Sequence, residues 1–357
     1  MFKHFSWVLL FGFFTANAQS LSQPEQDFET FWRTFRDHYA FFKLKGVNWD
    51  STYARYRPLI TPKTKEKELV AVLAQMVEPL RDGHVSISKK DELLYKGKNP
   101  KSYFKDEFRG NERALWQVSF ETLQAKGFGN IQGAGPVVRD EPLYEYTRSA
   151  EVGYVKITRC FAEIKGITDD KHEADDLATM LRLFDEILGK MTDTKALIID
   201  LRGNPGGHGG EELARRLATE KRLTHYKSVR EGADYEHFGN ETPFYVTPNE
   251  GIRYTKPVVI LTSDRTASSA EDFTIALYRQ PNVTVIGMNT SGMLSDMYEA
   301  QLSNKIEFTL SHQRYYTPER QLMEEVGVPA HIAVKNTKQD LETKQDPVIL
   351  KALEKIG

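Results

Sequence analysis

The sequence predicts an α/β protein, with a mostly parallel sheet covered by helices, preceded by a small N-terminal helical domain. Three observations predict it. Beyond residue 151, short β-branched runs alternate with amphipathic helical stretches, the pattern of βαβ units. Two turns directly follow such runs, Asn204-Pro205-Gly206-Gly207 and Thr266 to Glu271. In open α/β sheets, ligands bind beyond the carboxyl ends of the strands, where these turns would lie. Residues 24 to about 84 repeat aromatic and aliphatic side chains at helical spacing instead.

The chain begins with a short basic stretch, Met1-Phe2-Lys3-His4, then an apolar run from Phe5 to Phe14, then Ala16-Asn17-Ala18 before Gln19. This is the pattern of a secretory signal peptide over 1–18, which predicts export to a periplasmic or extracellular space. The apolar run is too short to span a bilayer stably, and no later segment resembles a span. Residues 19–88 form the predicted helical domain. Phe28, Phe31, Trp32, Phe35 and Tyr39 make one stripe, and Leu69, Val72, Leu73, Met76 and Leu80 another, both read as core. Gly83 terminates the second helix, and His84 to Ser88 alternates as a short strand.

Residues 89–150 read as a β-rich insertion, with Leu115 to Phe120 as one strand-like piece. From 151 to 357 the elements alternate. Strands are expected at 154–157, 196–200, 258–262 and 283–286, and helices at 174–191, 211–219 and 270–279. Strands at 307–310 and 313–316 follow, then a C-terminal helix at 346–356 with Pro347 in its first turn.

Composition excludes several functions. Apolar residues make up 40% and charged residues 27%, an ordinary globular balance, and a formal net charge of −2 argues against a nucleic-acid partner. Cys160 is the only cysteine, so no intramolecular disulfide can form; it reads as a packing residue. The nine histidines include no H-E-x-x-H, and the Asn204 turn has neither a Walker lysine nor G-x-G-x-x-G, so neither metal nor cofactor is expected.

Ser268 is the first candidate for chemistry. It lies where a strand delivers a hydroxyl-rich turn to a helix N-terminus, with unpaired backbone N–H groups and a favourable dipole for developing negative charge. The same residues, Ser268-x-x-Glu271, also match a capping box. The glycines of the Asn204 turn allow a close backbone approach, as a backbone oxyanion hole requires. His84 stands at a helix–strand junction and Glu324, which could orient a base, before a glycine turn; taken alone, His84 reads rather as a surface or satisfied histidine and Glu324 as a solvated surface carboxylate.

Six segments then carry a resemblance: LRDGHVSI (80–87), GYVKI (153–157), LIIDLRGNPGG (197–207), VVILTSDRTASSAEDF (258–273), VIGMNTSGM (285–293) and EEVGVPAHI (324–332). They occur in the order seen in the S41 serine peptidases, and the chain resembles that family over most of 24–357. The family includes tail-specific processing proteases, the tricorn core protease and the retinoid-binding repeats. The resemblance implies a ClpP/crotonase-like mixed sheet and a peptide or protein substrate. It implies Ser268 as nucleophile, and an oxyanion hole from the N–H of Ser269 with an N–H of Gly206 or Gly207. The base divides the family. Where tail-specific proteases carry a lysine, this chain has Met293. The tricorn-like branch uses a histidine, matched by His84, and a glutamate, matched by Glu324. That branch also places a serine before the histidine, where this chain has Gly83, so the relay to His84 is either incomplete or supplied by another group such as Ser86. Pro329-Ala330-His331 replaces the common PPD, and no PDZ module is evident in 89–150. A non-catalytic S41-like protein binding an apolar ligand or peptide is the alternative.

Overall fold

A computed structural model describes residues 20–90, 92–98 and 101–357. The signal-peptide reading at 1–18 lies outside the described residues. Five short strands run parallel in one sheet, in the order Ile332–Ala333, Val283–Gly287, Val258–Thr262, Ala196–Asp200 and Val152–Ile157. The hairpin Gln132–Val138 and Glu141–Arg148 adds two antiparallel strands at the Val152–Ile157 edge.

The central strands are apolar on both faces because both faces are covered. Leu197, Ile199, Val258 and Ile260 pack with Met180, Phe184, Phe273 and Leu277. The last four come from helices Asp170–Gly189 and Ser269–Tyr278. The intervening residues Ile198, Val259 and Leu261 face the other way, against Leu123, Val348, Ile349 and Ala352. Fully burying each such side chain stabilises by about 1.5–3 kcal/mol.

The stretch Leu115 to Phe120, read as a strand, is instead part of helix Glu112–Ala125. Leu115, Trp116, Ser119 and Leu123 are buried while Gln117 and Gln124 are exposed, the spacing of a helix face. Residues 89–150 therefore hold this helix, a second short one at Tyr103–Glu107, and a hairpin continuous with the main sheet.

The N-terminal helices Gln23–His38, Trp49–Tyr56 and Glu66–Val77 bury their aromatic and aliphatic stripes as expected. Their core is completed from far along the chain. Strand Ser86–Lys89 pairs antiparallel with Ile306–Ser311, Phe308 and Leu310 join Phe28, Phe31 and Phe35, and the rings of Phe31 and Phe308 lie 4.7 Å apart. This pairing carries the segment around His84 to the C-terminal part of the molecule. A three-stranded sheet, Gln313–Tyr316, Arg222–Val229 and Thr242–Val246, flanks it.

Candidate active site

Both candidate turns leave neighbouring parallel strands at the same end of the sheet, and they are stitched together. Thr266 Oγ1 donates to Leu201 O at 2.8 Å, Ser263 Oγ donates to Arg202 O, and Ala267 N donates to Asn204 O at 3.2 Å. Arg202 anchors the base of the glycine turn. Its buried guanidinium pairs with Asp200 at 2.6 Å and Asp346 at 2.8 Å, and donates to Asn336 at 2.7 Å. Asp346 caps the C-terminal helix, so that helix is tied to the turn.

Ser268 itself has φ 53° and ψ −128°, a backbone conformation that L-residues adopt at a cost of about 1–3 kcal/mol. A serine on a sharp, strained strand-to-helix turn is the geometry of a nucleophile elbow. Only half of the capping box forms. Ser268 N donates to Glu271 Oε2 at 3.1 Å, while Glu271 N goes to the Ser268 carbonyl at 2.6 Å. Among the described residues, Ser268 Oγ has no hydrogen-bond partner, so the hydroxyl is not used as a cap.

The glycine turn meets Ser268 directly. A Cβ on Gly206 would lie 2.7 Å from Ser268 Cβ and 2.6 Å from Ala267 O. Gly206 N donates to Asn204 Oδ1 at 2.8 Å and Gly206 O accepts from Cys160 N at 2.9 Å. That leaves the N–H of Gly207 and the N–H of Ser269 without partners among the described residues. Of the two glycines considered for an oxyanion donor, Gly207 is the one whose N–H is free. The Ser269 side chain is occupied, accepting from Gly210 N at 2.8 Å.

The remaining candidates converge on one three-residue segment. Met293 O accepts from Ser268 N at 3.1 Å, Leu294 N donates to Glu324 Oε2 at 3.1 Å, and the buried His84 imidazole faces the Ser295 backbone. Two residues of extended chain span at most about 7 Å, so Ser268, Glu324 and His84 share one neighbourhood. Glu324 makes no hydrogen bond to His84. Nor does Ser86, whose hydroxyl lies 2.8 Å from Thr309 Oγ1, so of the two alternatives the structure has no relay through Ser86. His84 Nδ1 is buried and unpartnered. Instead the main chain of His84 is held, its N–H by Asp82 Oδ1 at 2.9 Å and its carbonyl by Thr309 Oγ1 at 2.5 Å.

Sequence reading missed three contributors. Tyr39 read only as core, yet its hydroxyl donates to Asp82 Oδ2 at 3.1 Å. Asp82 was given no role of its own in the sequence, yet it is buried and accepts from His84 N at 2.9 Å. Glu271 read as a cap, yet its carboxylate also accepts from Thr290 Oγ1 at 2.6 Å, Gly292 N at 2.8 Å and Met293 N at 2.9 Å. The S-x-x-E match was the one signal for it.

Burial, and then Lys96, hold the His84 imidazole below its ordinary value, against the pull of Asp82 and Asp296. A histidine so placed is neutral at pH 7, as a general base must be. Burial and Asp82 push the Glu324 carboxyl well above the usual carboxylate range. Burial also pushes Glu271 up to about 7 despite its four donors. The Cys160 thiol is pushed up to about 12 by burial, in keeping with a packing residue.

Beside the glycine turn opens a cavity of about 810 Å³, walled by Pro205, Gly206 and Gly207 on one side and by Trp116, Phe161 and Arg265 on others.

This fold and site have relatives. Peptidase family S41 matches residues 151–334, and the tricorn protease C1 domain matches residues 22–78. The chain belongs to peptidase family S41. The carboxy-terminal processing protease CtpA of Bacillus subtilis (strain 168) is 30% identical over 176 residues, covering 48% of this chain and 32% of that protein. The chain thus spans about a third of the length of the curated relatives it matches. Among solved structures, a candidate peptidase of Parabacteroides merdae ATCC 43184 shares the fold with a TM-score of 0.71 at 24% identity, over 94% of this chain and 97% of that one. Mature CPAF gives a TM-score of 0.61 at 14% identity, over 94% and 96%. Among the described residues, no helix is long and apolar enough to cross a membrane.

Proposed function

We propose that this chain is an exported serine peptidase that hydrolyses peptide bonds through a Ser268 acyl-enzyme. The observation that carries the proposal is the free Ser268 hydroxyl on a strained turn, flanked by two unpartnered N–H groups. His84, neutral and buried, takes the proton from Ser268 Oγ as it attacks the carbonyl carbon. The N–H groups of Gly207 and Ser269 receive the resulting oxyanion. His84 then returns the proton to the leaving amine, and water, deprotonated by His84, hydrolyses the ester. Glu324 acts as a positioning residue, fixing Leu294 between the chain atoms that touch Ser268 and His84. The Met293 thioether cannot accept a proton at neutral pH, which leaves the base role to His84.

The test is a serine-reactive phosphonate. Labelling of Ser268, lost in Ser268→Ala and in His84→Ala, is the expected result. No labelling, together with no hydrolysis across a broad peptide library, refutes the proposal and favours a binding protein on the S41 scaffold. For export, the N-terminus of the protein recovered from cells is expected at Gln19; retention of residues 1–18 refutes it.

A further inference from the structure

Strand Glu92–Lys96 forms one edge of the four-stranded sheet that carries the His84 segment. On one side it pairs antiparallel with Ser86–Lys89; on the other, among the described residues, no strand pairs with it. An open edge presents a row of unpaired N–H and C=O groups, which proteins blunt with proline, charge or cover. This edge has none of these at its centre. Leu93 is 60% and Leu94 36% exposed. A bulge in the pairing with Ser86–Lys89 leaves Leu94 opposite no residue of that strand. Tyr95 packs inward, onto the N-terminal core. The charges stand at the two ends, Glu92 and Lys96, both exposed. Among the described residues, neither has an ion-pair partner.

The strand is complementary to itself. Set antiparallel against its own copy about Leu94, it places Glu92 opposite Lys96, Leu93 opposite Tyr95, and Leu94 opposite Leu94. A twofold axis repeats each contact, which gives a Glu–Lys pair at each end and an apolar centre. Two other edges lack this property. Gln132–Val138, the outer strand of the main sheet, contains Pro136, which has no N–H to give. Met297–Gln301, at the opposite edge of the same four-stranded sheet, would set Glu299 against Glu299. We propose that Glu92–Lys96 is the docking edge for a second copy of this chain, which joins it about a twofold axis into one continuous sheet. The interface is small. A single strand pair falls below the standard interface of about 800 Å² per partner, so the dimer is reversible and of micromolar strength. It also reaches the cleft. Lys96 lines the cavity beside the glycine turn, so Glu92 of the second copy arrives at the rim of that cavity and offsets one of its cations. The inference stands apart from the reading of Ser268.

The experiment is sedimentation velocity on the full chain, from about 1 to 200 µM, the range in which a weak dimer forms and dissociates. A monomer–dimer equilibrium is expected. Glu92→Lys sets Lys against Lys at both ends of the pair, and Lys96→Glu sets Glu against Glu. Each should weaken the dimer about tenfold, since two cross-strand pairs change sign. The double exchange, Glu92→Lys with Lys96→Glu, restores opposite charges and should recover the wild-type affinity; a variant damaged in folding would not. Leu94→Cys puts two thiols at the twofold axis, within disulfide reach of a directly opposed pair, and should cross-link under mild oxidation. The native Cys160 is buried and does not compete. A monomer throughout the range overturns the proposal. So does a dimer that the single exchanges leave unchanged or the double exchange fails to restore, or a Leu94→Cys protein that does not cross-link. If Ser268→Ala protein stays monomeric yet binds peptides less tightly once Glu92→Lys is added, the edge takes an extended peptide and the second-copy reading fails.

Discussion

Whether Ser268 is a helix cap or a nucleophile can be decided by stability as well as by activity. If its hydroxyl capped the helix, Ser268→Ala would cost about 1 kcal/mol, the usual loss for a serine cap. The hydroxyl makes no such bond, so Ser268→Ala is expected to leave stability within about 0.5 kcal/mol of wild type. Ser268→Gly carries a second, opposite signature. Holding an L-residue at φ 53° and ψ −128° costs about 1–3 kcal/mol, which glycine relieves. Glycine gives back about 0.5–1 kcal/mol through its larger unfolded-state entropy. The net is a gain of about 1 kcal/mol over both alanine and serine, in a protein that no longer turns over substrate. Urea unfolding of the three proteins, compared by midpoint at equal slope, measures it. A loss of 1 kcal/mol or more in Ser268→Ala, or a glycine variant no more stable than alanine, would refute the reading of a strained, uncapped serine.

Three further outcomes follow from the geometry. Gly207→Ala places a Cβ 2.1 Å from Cys160 O at φ 140°, and Gly206→Ala places one 2.7 Å from Ser268 Cβ at φ 97°. Each should lower phosphonate labelling at least a hundredfold, the loss typical of a misplaced oxyanion donor, while circular dichroism tests that the fold persists. Glu271→Gln is nearly isosteric but turns one acceptor oxygen into a donor facing two N–H or O–H groups. At about 1–3 kcal/mol for each buried group left unpaired, it should lose about 2–6 kcal/mol by urea unfolding; a change under 1 kcal/mol would contradict the donor count. The His84 imidazole is held below its ordinary value, and a base works only when neutral. The acid limb of kcat/KM is therefore expected below pH 6.5, with activity maintained as pH falls toward it; a limb above 6.5 would contradict the burial argument.

The parts of the site legible in the sequence are those made by local geometry. The Asn204 to Gly207 turn and the Ser268 turn each follow a buried strand, and each lies within a few residues of the chain that forms it. The alternation of strand and helix after residue 151 was legible for the same reason. The helix at Glu112–Ala125 was not. Its run of Leu115, Trp116, Val118 and Phe120 has the residues of a strand, and what decides for a helix is packing of Leu123 and Phe120 against the C-terminal helix, which is long-range. Glu271 was half legible, since the cap motif names the residue but not the Gly292 and Met293 amides it gathers from 21 and 22 residues away.

His84 is the clearest case of a site residue positioned by distant structure. In place of the serine relay that Gly83 lacks, the chain fixes His84 through its backbone. Asp82 holds the N–H, Tyr39 holds Asp82, and Thr309 holds the carbonyl from the strand paired with Ser86–Lys89. Constraint of the main chain on both sides of Cα restricts where the imidazole can point, and packing among buried neighbours restricts it further. It does not satisfy Nδ1, which remains buried and unpartnered at a cost of about 1–3 kcal/mol. When the imidazole takes up a proton, that nitrogen becomes a second N–H, and the negative charges of Asp82 and Asp296 favour the cation that forms. If His84 is the base, as proposed, backbone anchoring and through-space carboxylate charge stand in place of a hydrogen-bonded triad. On the proposed reading Asp82, with a contact to the His84 backbone and a field at its ring, shares the positioning of His84 with Glu324, which holds Leu294.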